Sequence, residues 1–120
     1  MSGSNIDIGL RLKEVRNIMN EGSKLSAEQF AYLLEETGDR IRNYELGRAG
    51  VPVRLLYNLY YRGINPIYII TGEESIYANN APGKKLKSRI EERQERSNTM
   101  KLVKENEDMI TKAAAGRKDA

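Results

Sequence analysis

Apolar residues recur at three- and four-residue steps through much of the first 77 positions, which is the helical period. Ile8, Leu12, Val15 and Met19 form one stripe behind Asp7, a helix-capping residue type, and predict a first helix ending near Asn20. Gly22, Ser23 and Lys24 break the pattern. Ser26 with Gln29 then resembles a capping box, opening a second helix that turns Phe30, Ala31 and Leu34 inward. Thr37 is a cap for a third helix from Gly38 to Leu46. After a loop from Gly47 to Gly50, Pro52 stands where a first helical turn tolerates proline, and Leu55, Leu56, Leu59 and Tyr60 make the next stripe. Gly63 ends that helix. Asn65-Pro66 starts a short fifth one, and Gly72 closes it in a left-handed conformation. The pattern therefore predicts an all-α domain of five helices over residues 6–77.

Beyond it the pattern weakens. Ala78 to Gly83 has linker composition, and a charged tail follows, so 78–120 reads as linker and tail. Leu86, Ile90 and Met100 share one helical stripe, whereas Val103, Ile110 and Ala114 fall on another, so no heptad persists for three repeats and no coiled coil is expected. Pairs such as Lys87/Glu91 and Glu92/Arg96 each favour helix by a few tenths of a kcal/mol, roughly, too little to hold an isolated helix. The expectation is a frayed, mobile tail, partly helical or disordered.

Composition narrows the chemistry. The chain has no cysteine and no histidine, which removes disulfides, thiolate and imidazole metal ligands and the usual neutral-pH acid–base residue. Carboxylates such as Glu35 and Glu36 read as solvated surface without nucleophile or metal-ligand company, so the expectation is no enzyme, no metal, no cofactor and no small-molecule substrate. No apolar run approaches a membrane span, and Met1 to Asp7 has no secretory character, which suggests a cytoplasmic protein without membrane contact. The net charge is +3, but its distribution matters more. Residues 1–77 hold nine Lys/Arg against ten Asp/Glu, and the rest hold eleven against seven. Arg40, Arg42, Arg48, Arg54 and Arg62 cluster between positions 38 and 62, where only Asp39 and Glu45 oppose them.

The stretch from Leu25 to Gly47 places two short helices about three residues apart, the helix-turn-helix spacing. It resembles the lambda-repressor-like (XRE/Cro-type) helix-turn-helix family of phage repressor domains. Leu25, Ser26, Glu28, Ala31, Leu34, Ile41, Tyr44, Glu45 and Gly47 fall on signature positions without a gap. Gly63-Ile-Asn-Pro-Ile-Tyr-Ile-Ile-Thr-Gly-Glu73 is similar to the closing helix of those domains. The resemblance implies a sequence-specific transcriptional regulator, repressor-like, acting on double-stranded DNA through its third helix in the major groove. By position, Gly38, Asp39, Arg40 and Asn43 would face bases. Gly38 has no side chain to read with, and Asp39 suits only a cytosine amino group. Lys24, Ser26, Gln29, Arg42, Arg48 and Arg54 would meet phosphates. Arg16 would pair with Glu45 as a structural tie.

The run Ile67 to Ile70 cannot turn wholly into one core, so some of it must face a partner. With Tyr57, Tyr60 and Tyr61 it suggests a homodimer, its interface built from Tyr57, Tyr61, Ile67, Tyr68 and Ile70. A second reading fits the near-neutral domain and the Gly38-Asp39 pair: a helix-turn-helix module for protein interaction, such as an antitoxin or anti-repressor partner, with weak DNA affinity.

Overall fold

The computed structural model describes residues 4–20 and 24–117, with side chains through position 101. The described residues form six helices: α1 (Asn5–Ile18), α2 (Ala27–Leu33), α3 (Gly38–Glu45), α4 (Val53–Tyr61), α5 (Pro66–Thr71) and α6 (Ala81–Arg117). No strand occurs among them, and an isolated antiparallel bridge joins Ile64 and Tyr77. The fold is all-α.

Local chemistry accounts for most helix ends. Ser26 and Gln29 form a reciprocal capping box on α2, and the Thr37 hydroxyl accepts from the Arg40 amide at the start of α3. Asn65 caps α5 with Pro66 in its first turn, and Gly72 closes that helix at φ +74°. Two ends differ from the sequence reading. Ser4, not Asp7, caps α1; Asp7 lies inside the first turn and donates its amide to the Ser4 hydroxyl. Pro52 is the N-cap of α4 and not a first-turn residue.

Leu12 and Val15 from α1, Phe30 and Leu34 from the α2 region, Ile41 from α3, Leu55 and Leu59 from α4, and Ile64 and Ile69 are fully buried in one core. Ile8, Met19 and Leu56 are half-buried at its margin, and Tyr60 is turned largely outward. Only Ile69 of the Ile67–Ile70 run is wholly inside, as the geometry of one helix requires.

The boundary expected after residue 77 lies elsewhere: the first compact unit runs through Ile90, and the second begins at Glu91. Residues 78–83 are built into the fold instead of linking. The Ala78 amide donates to the Gly63 carbonyl at 2.8 Å, the Asn80 side chain donates to the Tyr60 carbonyl at 2.8 Å, and the same side chain accepts from the Gly83 amide. Gly63 has φ +97°, and a Cβ there would stand 2.7 Å from the Gly83 nitrogen, so these two glycines meet backbone to backbone. The contact seats the first turns of α6, and Leu86 and Ile90 enter the core at 8% and 6% exposure. The charged tail expected there as partly helical or disordered is helical from Ala81 to Arg117. Within the second unit every described side chain is exposed. Leu86→Ala is therefore expected to cost about 2–5 kcal/mol, while Met100→Ala, at a residue 73% exposed, stays within about 0.5 kcal/mol of the parent. Denaturant melts of the two variants check this, and coincident curves would contradict it.

Candidate nucleic-acid interface

Helices α2 and α3 are joined by Leu34, Glu35, Glu36 and Thr37. Glu35 takes φ +56°, a left-handed conformation uncommon outside glycine, and the Glu36 amide donates to the Ala31 carbonyl at 2.9 Å. Ala31 is 2% exposed, and Leu34 and Ile41 are fully buried, so a small residue and two aliphatics form the wedge that sets the two helices against each other. From the far end of α4, Arg62 donates to the Leu33 carbonyl at 2.9 Å and satisfies the last turn of α2.

Helix α3 is braced from behind by α1. Gly9 lies against its backbone so closely that a Cβ there would stand 2.6 Å from the Glu45 carbonyl oxygen. Arg16 then holds Glu45 in a two-pronged pair: Nε donates to Oε2 and Nη2 to Oε1, each at 2.8 Å, while Nη1 donates to the Leu25 carbonyl at 2.8 Å. Side-chain exposures of 9% and 7% make this a desolvated pair, with planar fork meeting planar carboxylate.

With Ile41 and Tyr44 inward, α3 turns Asp39, Arg40, Arg42 and Asn43 to solvent, and its C-cap Leu46 is 57% exposed beside them. The Asn43 side chain has no hydrogen-bond partner among the described residues, and Lys24 and Arg48 form no ion pair among them. Ser26 and Gln29 spend their side chains on the α2 cap. Gly38 leaves a space that Glu28 fills: a Cβ there would lie 3.1 Å from Glu28 Oε1. From that position Glu28 ion-pairs with Arg42, which also holds Asp39 at 3.0 Å. A carboxylate of α2 thus stands at the start of α3 where the sequence places nothing.

Arg40 and Arg54 converge on Glu36, a residue whose sequence context reads as solvated surface. Its side chain is in fact 1% exposed. Arg40 Nη1 donates to Oε1 at 3.2 Å and Arg54 Nη2 to Oε2 at 2.8 Å, while the two arginine side chains remain 62% and 54% exposed. Burial pushes the Glu36 carboxyl up, but the hydrogen bonds from Arg54 and Arg40 outweigh it and hold it below the ordinary carboxylate value. A depressed folded-state value means that its stabilisation is complete at neutral pH and is lost as pH falls through the carboxylate range. The sequence places Glu28 on a signature position and Glu36 on solvated surface, and gives neither a role in holding the arginines. Glu36 precedes the Thr37 cap and lies outside both helices, so its pairing with Arg40 four residues on is no helix-face signal, and the partners 14 and 18 residues away carry none.

On α4, Tyr57 and Tyr61 are 60% and 59% exposed and stack edge to face at 4.8 Å; Tyr60 joins Tyr61 at 5.7 Å. Ile67 and Ile70 of α5 are 46% and 39% exposed. Tyr68 does not share their exposure: it is half-buried and its hydroxyl donates to Glu14 of α1. Burial and that bond push the phenol up to about 12.

No group of three or more metal-ligating residues and no helix long and apolar enough to cross a membrane occurs among the described residues. No protein-family model matches the chain, and neither the curated proteins nor the solved structures supplied a match.

Proposed function

We propose that the protein is a sequence-specific DNA-binding regulator of the lambda-repressor-like kind, without catalytic activity, acting in the cytoplasm as a homodimer. The observation that carries this reading is the braced outer face of α3. Asp39, Arg40, Arg42 and Asn43 are turned to solvent on a helix that Gly9 and the Arg16–Glu45 pair hold rigidly from behind. A helix so presented fits the major groove, where Asn43 suits an adenine edge and Leu46 suits a thymine methyl. Lys24 and Arg48 suit flanking phosphates, and the amides opening α2 suit another.

Binding of a duplex to this face is expected to weaken with salt. Arg48→Gln should lower the magnitude of the log–log slope by about 0.9 and weaken all sequences alike. A slope that does not change on this substitution would remove Arg48 from the interface, and binding without salt dependence would remove the groove-docking reading. The exposed Tyr57, Tyr61, Ile67 and Ile70 side chains support the dimer, whose half-sites would lie about 34 Å apart. Sedimentation is expected to show a concentration-dependent dimer. Monomer alone at high concentration would contradict it.

The protein-interaction reading is favoured by one observation, that Arg40, Arg42 and Arg54 already hold carboxylates and Asp39 is 92% exposed in their midst. As an antitoxin or anti-repressor partner, the chain would then present Glu28 and Asp39 to basic side chains of the protein it binds. Absence of any preferred duplex would favour it.

A further inference from the structure

The two arginine–carboxylate clusters beside α3 are built differently. Around Arg42 the carboxylates of Glu28 and Asp39 are 62% and 92% exposed, so any anion approaching that arginine also meets them. Around Glu36 the arrangement is inverted: the carboxylate is covered, and solvent reaches the two guanidinium groups above it. Those groups come from different helices, Arg40 from the first turn of α3 and Arg54 from the first turn of α4, and each spends one of its five N–H groups on Glu36.

We propose that Glu36 is a positioning residue that sets Arg40 and Arg54 side by side as a two-guanidinium clamp for one DNA phosphate. The inference rests on the DNA-binding reading above. Two guanidinium groups brought together alone repel each other, and the pair would splay into solvent. One carboxylate beneath them cancels that repulsion and leaves the cluster with a single net positive charge, matched to a single phosphate. Its two oxygens take one arginine each, so both side chains are ordered before the anion arrives, and binding does not bear the full cost of immobilising them. Four N–H groups of each arginine are not spent on Glu36, and they belong to side chains that remain 62% and 54% exposed. Arg40 is thereby drawn away from base reading toward the backbone of the duplex, and Arg54 acquires a partner in a task that it would otherwise perform alone.

Charge and position predict opposite signs for the decisive substitution. Glu36→Gln adds one unit of positive charge to the chain, so a merely electrostatic account has it bind a polyanion more tightly. Loss of positioning has it bind more weakly. The test measures the affinity of the full chain for a short mixed-sequence duplex at several salt concentrations, in the parent, Glu36→Gln, Arg40→Gln/Arg54→Gln and the triple variant, at a temperature where each is folded by circular dichroism. Positioning predicts that Glu36→Gln weakens binding about tenfold in the parent and less than about twofold once both arginines are gone. Equal or tighter binding by Glu36→Gln overturns the inference, as does an equal loss in both backgrounds, which a role confined to holding the fold would give. Should Glu36→Gln fail to fold, Glu36→Asp, which keeps the charge but withdraws the carboxylate by one methylene, is expected to show the same background-dependent loss; no loss overturns the inference. Failure of the parent to bind any duplex overturns the DNA-binding reading and this inference with it, whereas parent binding with an unweakened Glu36 variant overturns the inference alone.

Discussion

Glu45→Ala is expected to lower the melting temperature by at least about 12 °C. Removing one partner of a buried ion pair costs about 3–5 kcal/mol, because the other charge is left desolvated. In a domain of this size each kcal/mol shifts the midpoint by roughly 4–8 °C. Arg16 is 8% exposed and would keep only the Leu25 carbonyl, which satisfies one of its donors but none of its charge. The loss also releases α3 from α1, so binding by the α3 face should fall even where the variant remains folded. Thermal denaturation followed by circular dichroism reads the first effect. A melt within about 2 °C of the parent would show that the pair contributes nothing net to stability, as some exposed pairs do.

Gly9→Ala is expected to be as damaging, although alanine is the better helix former by about 1 kcal/mol. The new methyl would press on the Tyr44 and Glu45 carbonyls, which are backbone and cannot rotate aside. Overpacking of a well-filled interior costs about 1–3 kcal/mol and more where no side chain can yield. Here relief requires α1 to back away from α3, which also strains the Arg16–Glu45 bonds. A chemical melt is expected to show a midpoint well below that of the parent, and an equal or raised midpoint would contradict the close approach.

Much of the first five helices was legible because their ends are written locally. The Ser26/Gln29 box, the Thr37 cap, the Asn65-Pro66 start and the Gly72 stop each act within a few residues of themselves. The α1 start was misplaced by three positions because Asp7 stands next to the apolar stripe, whereas Ser4 precedes it. The start of α6 carried the same kind of signal as α5: Asn80 caps it and Pro82 stands in its first turn. Linker-like composition concealed that signal, and the contact that decides the matter, Gly83 against Gly63, spans 20 residues and leaves no period in the sequence. Without that seat, Leu86 and Ile90 resemble an unsupported stripe; with it they complete the core.

The candidate interface was legible in its exposed residues and much less so in its electrostatics. That Asp39, Arg42 and Asn43 face outward follows from Ile41 and Tyr44 facing inward. The pairing of Arg42 with Glu28 and of Arg54 with Glu36 depends on how closely α2, α3 and α4 approach, which helical periodicity does not encode. The formal count of five arginines between positions 38 and 62 therefore overstates the free positive charge on this surface. Arg48 and Lys24 form no ion pair among the described residues, whereas Arg40 and Arg54 both hold Glu36.

Whether the outer face of α3 reads duplex DNA is decided by selecting bound sites from a random duplex pool with the full chain and then with Asn43→Ala. An enriched site with two half-sites one helical turn apart is expected, with loss of preference at one position per half-site, roughly 1–3 kcal/mol of discrimination, in the variant. Recovery of no enriched sequence, or of the same sequence with undiminished preference after Asn43→Ala, would contradict it.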